Sequence, residues 1–143
     1  MIQFKPMDNK AEWLWFKERT HLILQEDTQG IVAFDERGIA AMVVFDTFTV
    51  RSCNVHMAVE RTAAIRAGLF TEVAVHGFNT CGKDRFFGLV PSNNAKALKL
   101  NQNIGFEIVT EVPDALDDGI GYTVMRLNKQ DCRFLPQELH EVA

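Results

Sequence analysis

Asn94-Ala-Lys-Ala-Leu-Lys-Leu-Asn-Gln-Asn-Ile-Gly-Phe106 is the stretch on which the fold of this chain turns. Pro91-Ser-Asn-Asn94 ahead of it supplies side chains that cap a helix start, the helix runs to Asn103, and Gly105 closes it. On its N-terminal side, Arg85-Phe-Phe-Gly-Leu-Val90 reads as a buried strand. On its C-terminal side, Phe106 to Val112 and Ile120 to Leu127 read as two strands joined by the turn-rich segment Pro113-Asp-Ala-Leu-Asp-Asp-Gly119. Further upstream, Ile65, Leu69, Val73 and His76 form one stripe of an amphipathic helix that begins at Ala63 and stops near Gly77. Ser52 to Val59 is a strand. Ile31 to Phe34 and Ile39 to Phe45 flank Asp35-Glu-Arg-Gly38 as a hairpin. Ile2 to Lys5 is a short first strand, and Asp8 or Asn9 caps a helix through Trp13, Leu14 and Phe16 to about Leu24. Strands that alternate with helices and then run on as hairpins imply an α/β chain with a mixed sheet and helices on both faces.

Length and composition fit that outline. The chain has 143 residues, 47% of them hydrophobic and 24% charged, which suits a single globular domain over residues 1–143. Fifteen basic against nineteen acidic residues leave a net charge of −4, so no basic field exists to attract a nucleic acid. The longest apolar run, Ile39 to Phe45, is far short of the roughly 20 residues that cross a bilayer. With no apolar signal core at the start, the expected location is the cytoplasm, away from any membrane. Cys53, Cys81 and Cys132 form no C-x-x-C pair, and His21, His56, His76 and His140 form no H-E-x-x-H motif, so no metal site is expected. Neither a G-x-S-x-G nor a P-loop pattern is present.

Asn94 to Phe106 resembles the N-x-x-A-x-x-L-[Y]-x-x-x-G-F signature of the GNAT superfamily of acyl-CoA-dependent N-acyltransferases. The order of elements resembles that family over nearly the full length, and Val55 to Leu127 looks like the short forms encoded by tailed bacteriophages. The resemblance implies three layers, α/β/α, around a mostly antiparallel sheet with one splayed parallel strand pair. It also implies acetyl-CoA as acyl donor and an amine as acceptor. The family's pyrophosphate loop, [QR]-x-x-G-x-[GA], is matched by Arg61-Thr-Ala-Ala64-Ile-Arg66, with both small-residue positions altered. Diphosphate binding needs unpaired N–H groups at a helix start, which Ala64, Ile65, Arg66, Ala67 and Gly68 are expected to offer, with the Arg66 guanidinium adding charge. The backbone of Met57, Ala58 and Val59 is expected to bind pantetheine as an added strand and to hold the thioester oxygen. Asn94 and Ala97 complete the expected cofactor contacts through the signature helix.

An alkylammonium has a pKa of about 10.4, so transfer to an amine needs a proton acceptor near the end of the fourth strand. Alternation places His56, Ala58 and Glu60 on one face, with Glu60 the first candidate base and His56 the second. Asn101 stands where the family usually carries a Tyr that protonates the leaving thiolate, and it shares a helical face with Asn94 and Ala97. An amide cannot donate that proton, but it can hydrogen-bond the sulfur or a water. Tyr122, the one tyrosine, substitutes only if the fold brings it into the cleft. Glu26, Asp27, Asp117 and Asp118 would suit a cationic acceptor. The competing function is a non-catalytic acyl-CoA-binding or phage accessory, virion-associated module on the same fold. Exposure of Trp13, Trp15 or the Phe-rich strands would mark a homodimer.

Overall fold

A computed structural model describes residues 1–140. Its strands are β1 (Gln3–Pro6), β2 (Gln29–Asp35), β3 (Gly38–Asp46), β4 (Ser52–Val59), β5 (Arg85–Pro91), β6 (Glu107–Asp117) and β7 (Ile120–Asn128). Its helices are α1 (Lys10–Thr20), α2 (Ala63–Arg66), α3 (Leu69–Ala74), α4 (Ala95–Ile104) and α5 (Gln137–His140). The seven strands form one sheet in the order β1-β2-β3-β4-β5-β7-β6. Every neighbouring pair is antiparallel except β4 and β5. Among the described residues no helix is long and apolar enough to cross a membrane.

Helices cover both faces of the sheet around β2 to β4, which gives the three layers that the strand and helix pattern implies, whereas β6 is exposed along its whole length. On one face α1 packs Trp13 and Phe16 over Val32, Met42 and Val44. On the other, Leu69, Phe70 and Val73 of α3 and Ile104 of α4 cover Val43, Phe45, Cys53, Val55 and Phe86. Strand alternation sorts the side chains: in β4, Cys53, Val55, Met57 and Val59 face α3, whereas His56 and Ala58 face α1. Burying a Phe or Leu side chain stabilises the fold by about 1.5–3 kcal/mol, so these two layers carry much of the stability.

Three elements depart from the pattern expected above. Helix α1 ends at Thr20 rather than Leu24, because His21 takes a left-handed conformation (φ 58°) and its N–H closes back onto the Lys17 carbonyl. The helix expected from Ala63 to Gly77 is interrupted at Gly68, whose φ of 112° ends α2 and starts α3. Gly77 does not stop the helix. It lies inside a π-helical turn, Val75–Thr80, where a Cβ would stand 2.2 Å from the Phe86 ring, so only hydrogen fits. The segment Pro113 to Gly119 is shorter as a turn than expected, since β6 continues to Asp117.

Candidate functional site

Strands β4 and β5 pair over only three positions, Ser52 with Arg85, Cys53 with Phe86 and Asn54 with Phe87. Both strands continue, to Val59 and Pro91, without pairing further. Each is held from its outer side instead: β4 by β3 as far as Ala41 opposite Val59, and β5 by β7 as far as Pro91 opposite Tyr122. The result is a V-shaped opening with its apex at Asn54 and Phe87. Along it the main-chain groups of β4 that point toward β5, those of Met57 and Val59, are not claimed by a neighbouring strand, whereas Ala58, expected to share this role, lies opposite Met42 in step with the bond from the Glu60 N–H to the Ala40 carbonyl and is turned toward β3.

On the α3 side the mouth of this opening meets the start of α2 and the start of α4. Ala64 to Gly68 donate their N–H groups to carbonyls three or four residues back, at 3.0–3.3 Å. Between Thr62 and Gly68 the N–H groups without a main-chain partner are those of Thr62 and Ala63, slightly earlier than the sequence pattern places them. Arg66 bends back over this turn, its Nη1 donating to Thr62 Oγ1 at 3.3 Å. Arg61 fixes the corner that leads into α2: its guanidinium donates to both Asp35 oxygens at 2.8 Å and to the Gly38 carbonyl at 3.1 Å. That bidentate contact ties the corner to the β2–β3 hairpin and holds the Asp35 carboxyl well below the usual carboxylate range. At the other start, Asn94 caps α4 by accepting from the Ala97 N–H at 3.1 Å. Ala97 packs against the core.

The α1 side of the opening carries the ionisable groups. His56 lies two residues beyond the apex, and its Nε2 stands 3.0 Å from Asp46 Oδ1. Asp46 is 3% exposed. Register explains the pair: His56 sits opposite Val44 and Asn54 opposite Asp46, so Asp46 and His56 are diagonal neighbours across the β3–β4 ladder. Nothing in the linear spacing of 46 and 56 signals this contact. An Nε2–H donated to the carboxylate leaves Nδ1 of neutral His56 with its lone pair available. Glu60 shares this face but is engaged elsewhere. Its Oε2 accepts from Arg19 Nε at 2.9 Å, and the Arg19 guanidinium stacks 3.8 Å above the Trp15 ring. Arg19 therefore lowers the Glu60 pKa, which makes that carboxylate a weaker base.

Asn101 faces the sheet on the α4 side. It is 7% exposed, its Nδ2 donates to Met125 Sδ at 3.7 Å, and the same nitrogen packs over Gly88, the first β5 residue beyond the apex. Tyr122, by alternation along β7, points to the opposite face from Met125. Among the acids expected to attract a cation, Asp27 Oδ2 accepts from the Phe48 N–H at 2.8 Å and Asp117 Oδ1 from the Asp118 N–H at 2.8 Å. Both oxygens are committed to shaping loops.

No family model matches the sequence, and no curated protein does. Solved structures do match in shape. Spermidine/spermine N-acetyltransferase SpeG from Vibrio cholerae, in a structure with manganese ions, superposes with a TM-score of 0.71 at 10% identity, over 90% of this chain and 93% of that one. A putative acetyltransferase of the GNAT family from Desulfovibrio desulfuricans gives 0.71 at 14% identity, over 90% and 99%. N-acetyltransferase PseH from Campylobacter jejuni, solved in complex with acetyl coenzyme A, gives 0.62 at 20% identity, again over 90% and 99%. The mixed sheet with its single parallel pair, flanked by helices on both faces, is the GNAT fold.

Proposed function

We propose that this chain is an acetyl-CoA-dependent N-acetyltransferase of the GNAT superfamily, akin to its short phage-encoded members. It would act in the cytoplasm and transfer acetyl directly to a primary amine of a small molecule or a protein. The observation that carries the proposal is the opening between β4 and β5, where the two strands diverge after Asn54 and Phe87. The acetyl-CoA complex of PseH and the spermidine acetyltransferase activity in the name of SpeG support the choice of donor and acceptor class. Acetyl-CoA supplies an activated thioester carbonyl, and the chain's residues supply the rest. The main-chain groups of Met57 and Val59 that point into the opening would pair with the pantetheine amides as an added strand, with Ala58 between them anchored to β3. One N–H there would stabilise negative charge developing on the carbonyl oxygen. Thr62 and Ala63 N–H groups, the α2 turn through Gly68 and the Arg66 guanidinium would face the diphosphate. The Arg61–Asp35 clamp would keep that turn in place, and Asn94 and Ala97 would present the start of α4 to the same ligand.

Proton removal falls to the α1 side. His56, oriented by buried Asp46 and two residues beyond the apex, is the better placed base, while Glu60 is paired with Arg19 and would act only through water. The amine enters from this face and donates its proton toward His56 as the N–C bond forms and the C–S bond breaks. Asn101 would sit on the opposite side near the departing sulfur, offering a hydrogen bond but no proton. A thiol with a pKa of about 8.5 leaves as an anion at roughly 1.4 kcal/mol per unit above ambient pH, which the site can absorb.

Calorimetric titration with acetyl-CoA, followed by detection of free thiol over a panel of amines, tests the proposal. Saturable binding with amine-dependent thiol release is the expected outcome. Binding without release from any amine would leave only the acyl-CoA-binding module, a reading that the amide at Asn101 favours, and no binding would remove both.

A further inference from the structure

A second cluster of donor atoms lies at the closed end of the sheet, away from the opening. His76 and Cys81 both sit on or directly after the π-helical turn Val75–Thr80, and Gln29 is the first residue of β2. Their side-chain atoms converge: His76 Nε2 is 2.9 Å from Gln29 Oε1, Cys81 Sγ is 3.5 Å from His76 Nε2, and Cys81 Sγ is 3.6 Å from Gln29 Oε1. Wide helical winding makes this possible. In an α-helix, residues five apart point about 140° away from each other around the axis. Here the Cys81 N–H donates to the His76 carbonyl at 2.8 Å, closing the larger π ring, and residue 81 stacks over residue 76. The Phe45 ring, with its centroid 4.8 Å from that of His76, backs the imidazole and limits where it can turn.

We propose that Cys81, His76 and Gln29 form a binding site for Zn²⁺, with the fourth position open to water. The thiolate and the imidazole are the borderline-soft ligands that favour zinc over calcium or magnesium, and the Gln29 amide oxygen would be a harder, neutral third ligand. Zinc bonds of about 2.3 Å to sulfur and about 2.0–2.2 Å to nitrogen and oxygen give a tetrahedron with S···N and S···O edges of about 3.5–3.6 Å and an N···O edge of about 3.4 Å. The two edges that involve Cys81 already have those lengths. The N···O edge must widen by about 0.5 Å, a small displacement for the exposed end of Gln29. No third His, Cys, Asp or Glu joins the cluster among the described residues, so the amide of Gln29 is the third ligand available. On binding, the Cys81 thiol proton is released to solvent as the metal–sulfur bond forms, and neutral His76 takes the tautomer with its proton on Nδ1, so that Nε2 contributes its lone pair. The ion would fasten the π turn to β2. Accessibility agrees with this role, since Cys81 and His76 are half-buried and Gln29 is exposed, whereas Cys53 and Cys132 are buried.

Tag-free full-length protein, stripped with chelator, is titrated with Co²⁺ as a spectroscopic stand-in and then with Zn²⁺. One equivalent of Co²⁺ should produce a thiolate-to-cobalt charge-transfer band together with tetrahedral visible bands, and Zn²⁺ should displace both. Cys81→Ser should abolish the charge-transfer band and His76→Gln should weaken binding at least about tenfold, whereas Cys53→Ser should leave the band intact. In unaltered protein, Zn²⁺ should protect Cys81 from alkylation as read by mass spectrometry, which keeps the test valid if a variant misfolds. Absence of the band in unaltered protein, its survival in folded Cys81→Ser, or alkylation of Cys81 at an unchanged rate would each overturn the site. None of these measurements involves acetyl-CoA, so the outcome is independent of the transferase proposal.

Discussion

Replacing His56 by Gln separates chemistry from cofactor binding. Gln is close to His in length, and its amide can still donate to Asp46, so the half-buried pocket keeps its packing and Asp46 keeps a hydrogen-bond partner. What is lost is the nitrogen lone pair. A positioned general base contributes roughly 10²- to 10⁴-fold, which corresponds to about 2.7–5.4 kcal/mol of the activation barrier. His56 faces α1, while the groups assigned to the cofactor are the β4 main chain and the turn on the α3 side. The expected result is therefore a fall in kcat of at least about 10²-fold with the acetyl-CoA Kd changed by less than about twofold. Asp46→Asn should give a smaller loss of the same kind, and the double variant should be little worse than His56→Gln, because the two residues act as one unit. Glu60→Gln provides the comparison. With its carboxylate already held by Arg19, its effect on kcat should be well below that of His56→Gln. Stopped-flow detection of thiol release over a range of amine concentrations measures kcat, and calorimetry measures Kd. If folded His56→Gln turns over within about threefold of the unaltered protein, the dyad is not the base and the assignment on the α1 face is wrong.

Three further outcomes follow from the same geometry. Because Arg61 depresses the Asp35 pKa in the folded state, the pair contributes stability above the unfolded carboxylate value of about 3.9 and loses it as pH falls through the lower folded value. Urea midpoints measured across the acidic range should decline, and Asp35→Asn should flatten that decline; an unchanged slope would place the stabilisation elsewhere. Gly77→Ala forces a methyl group against Phe86 in the stretch where β4 and β5 still pair, and should cost about 1–3 kcal/mol in chemical denaturation, so full stability would show that the π turn shifts freely. Arg66→Glu reverses charge over the free N–H groups at Thr62 and Ala63 and should weaken acetyl-CoA binding about tenfold, whereas an unaltered Kd would leave the guanidinium in solvent.

Local signals in the chain determined the order of strands and helices, the Asn94 cap, the Gly105 stop and the shared face of His56, Ala58 and Glu60, because each depends on residues within a turn or two of one another. Periodicity could not reveal that the helix after Ala63 breaks at Gly68 and widens into a π turn, since the apolar stripe is the same either way and the deciding contact, Phe86 against Gly77, comes from another element. The role of Asp46 is hidden in the sequence for a similar reason: it depends on the β3–β4 register that sets this residue diagonally against His56. The engagement of Glu60 by Arg19, and the convergence of Gln29 with His76 and Cys81, likewise join residues 41, 47 and 52 positions apart. Sequence patterning thus settled the seven strands, the helices that start at Lys10 and Ala95 and the face that His56 and Ala58 share, through interactions short enough to leave a period. Tertiary structure alone decided which polar atoms meet, because hydrogen bonds and ion pairs require atoms within about 3 Å, a condition set by how the sheet is assembled.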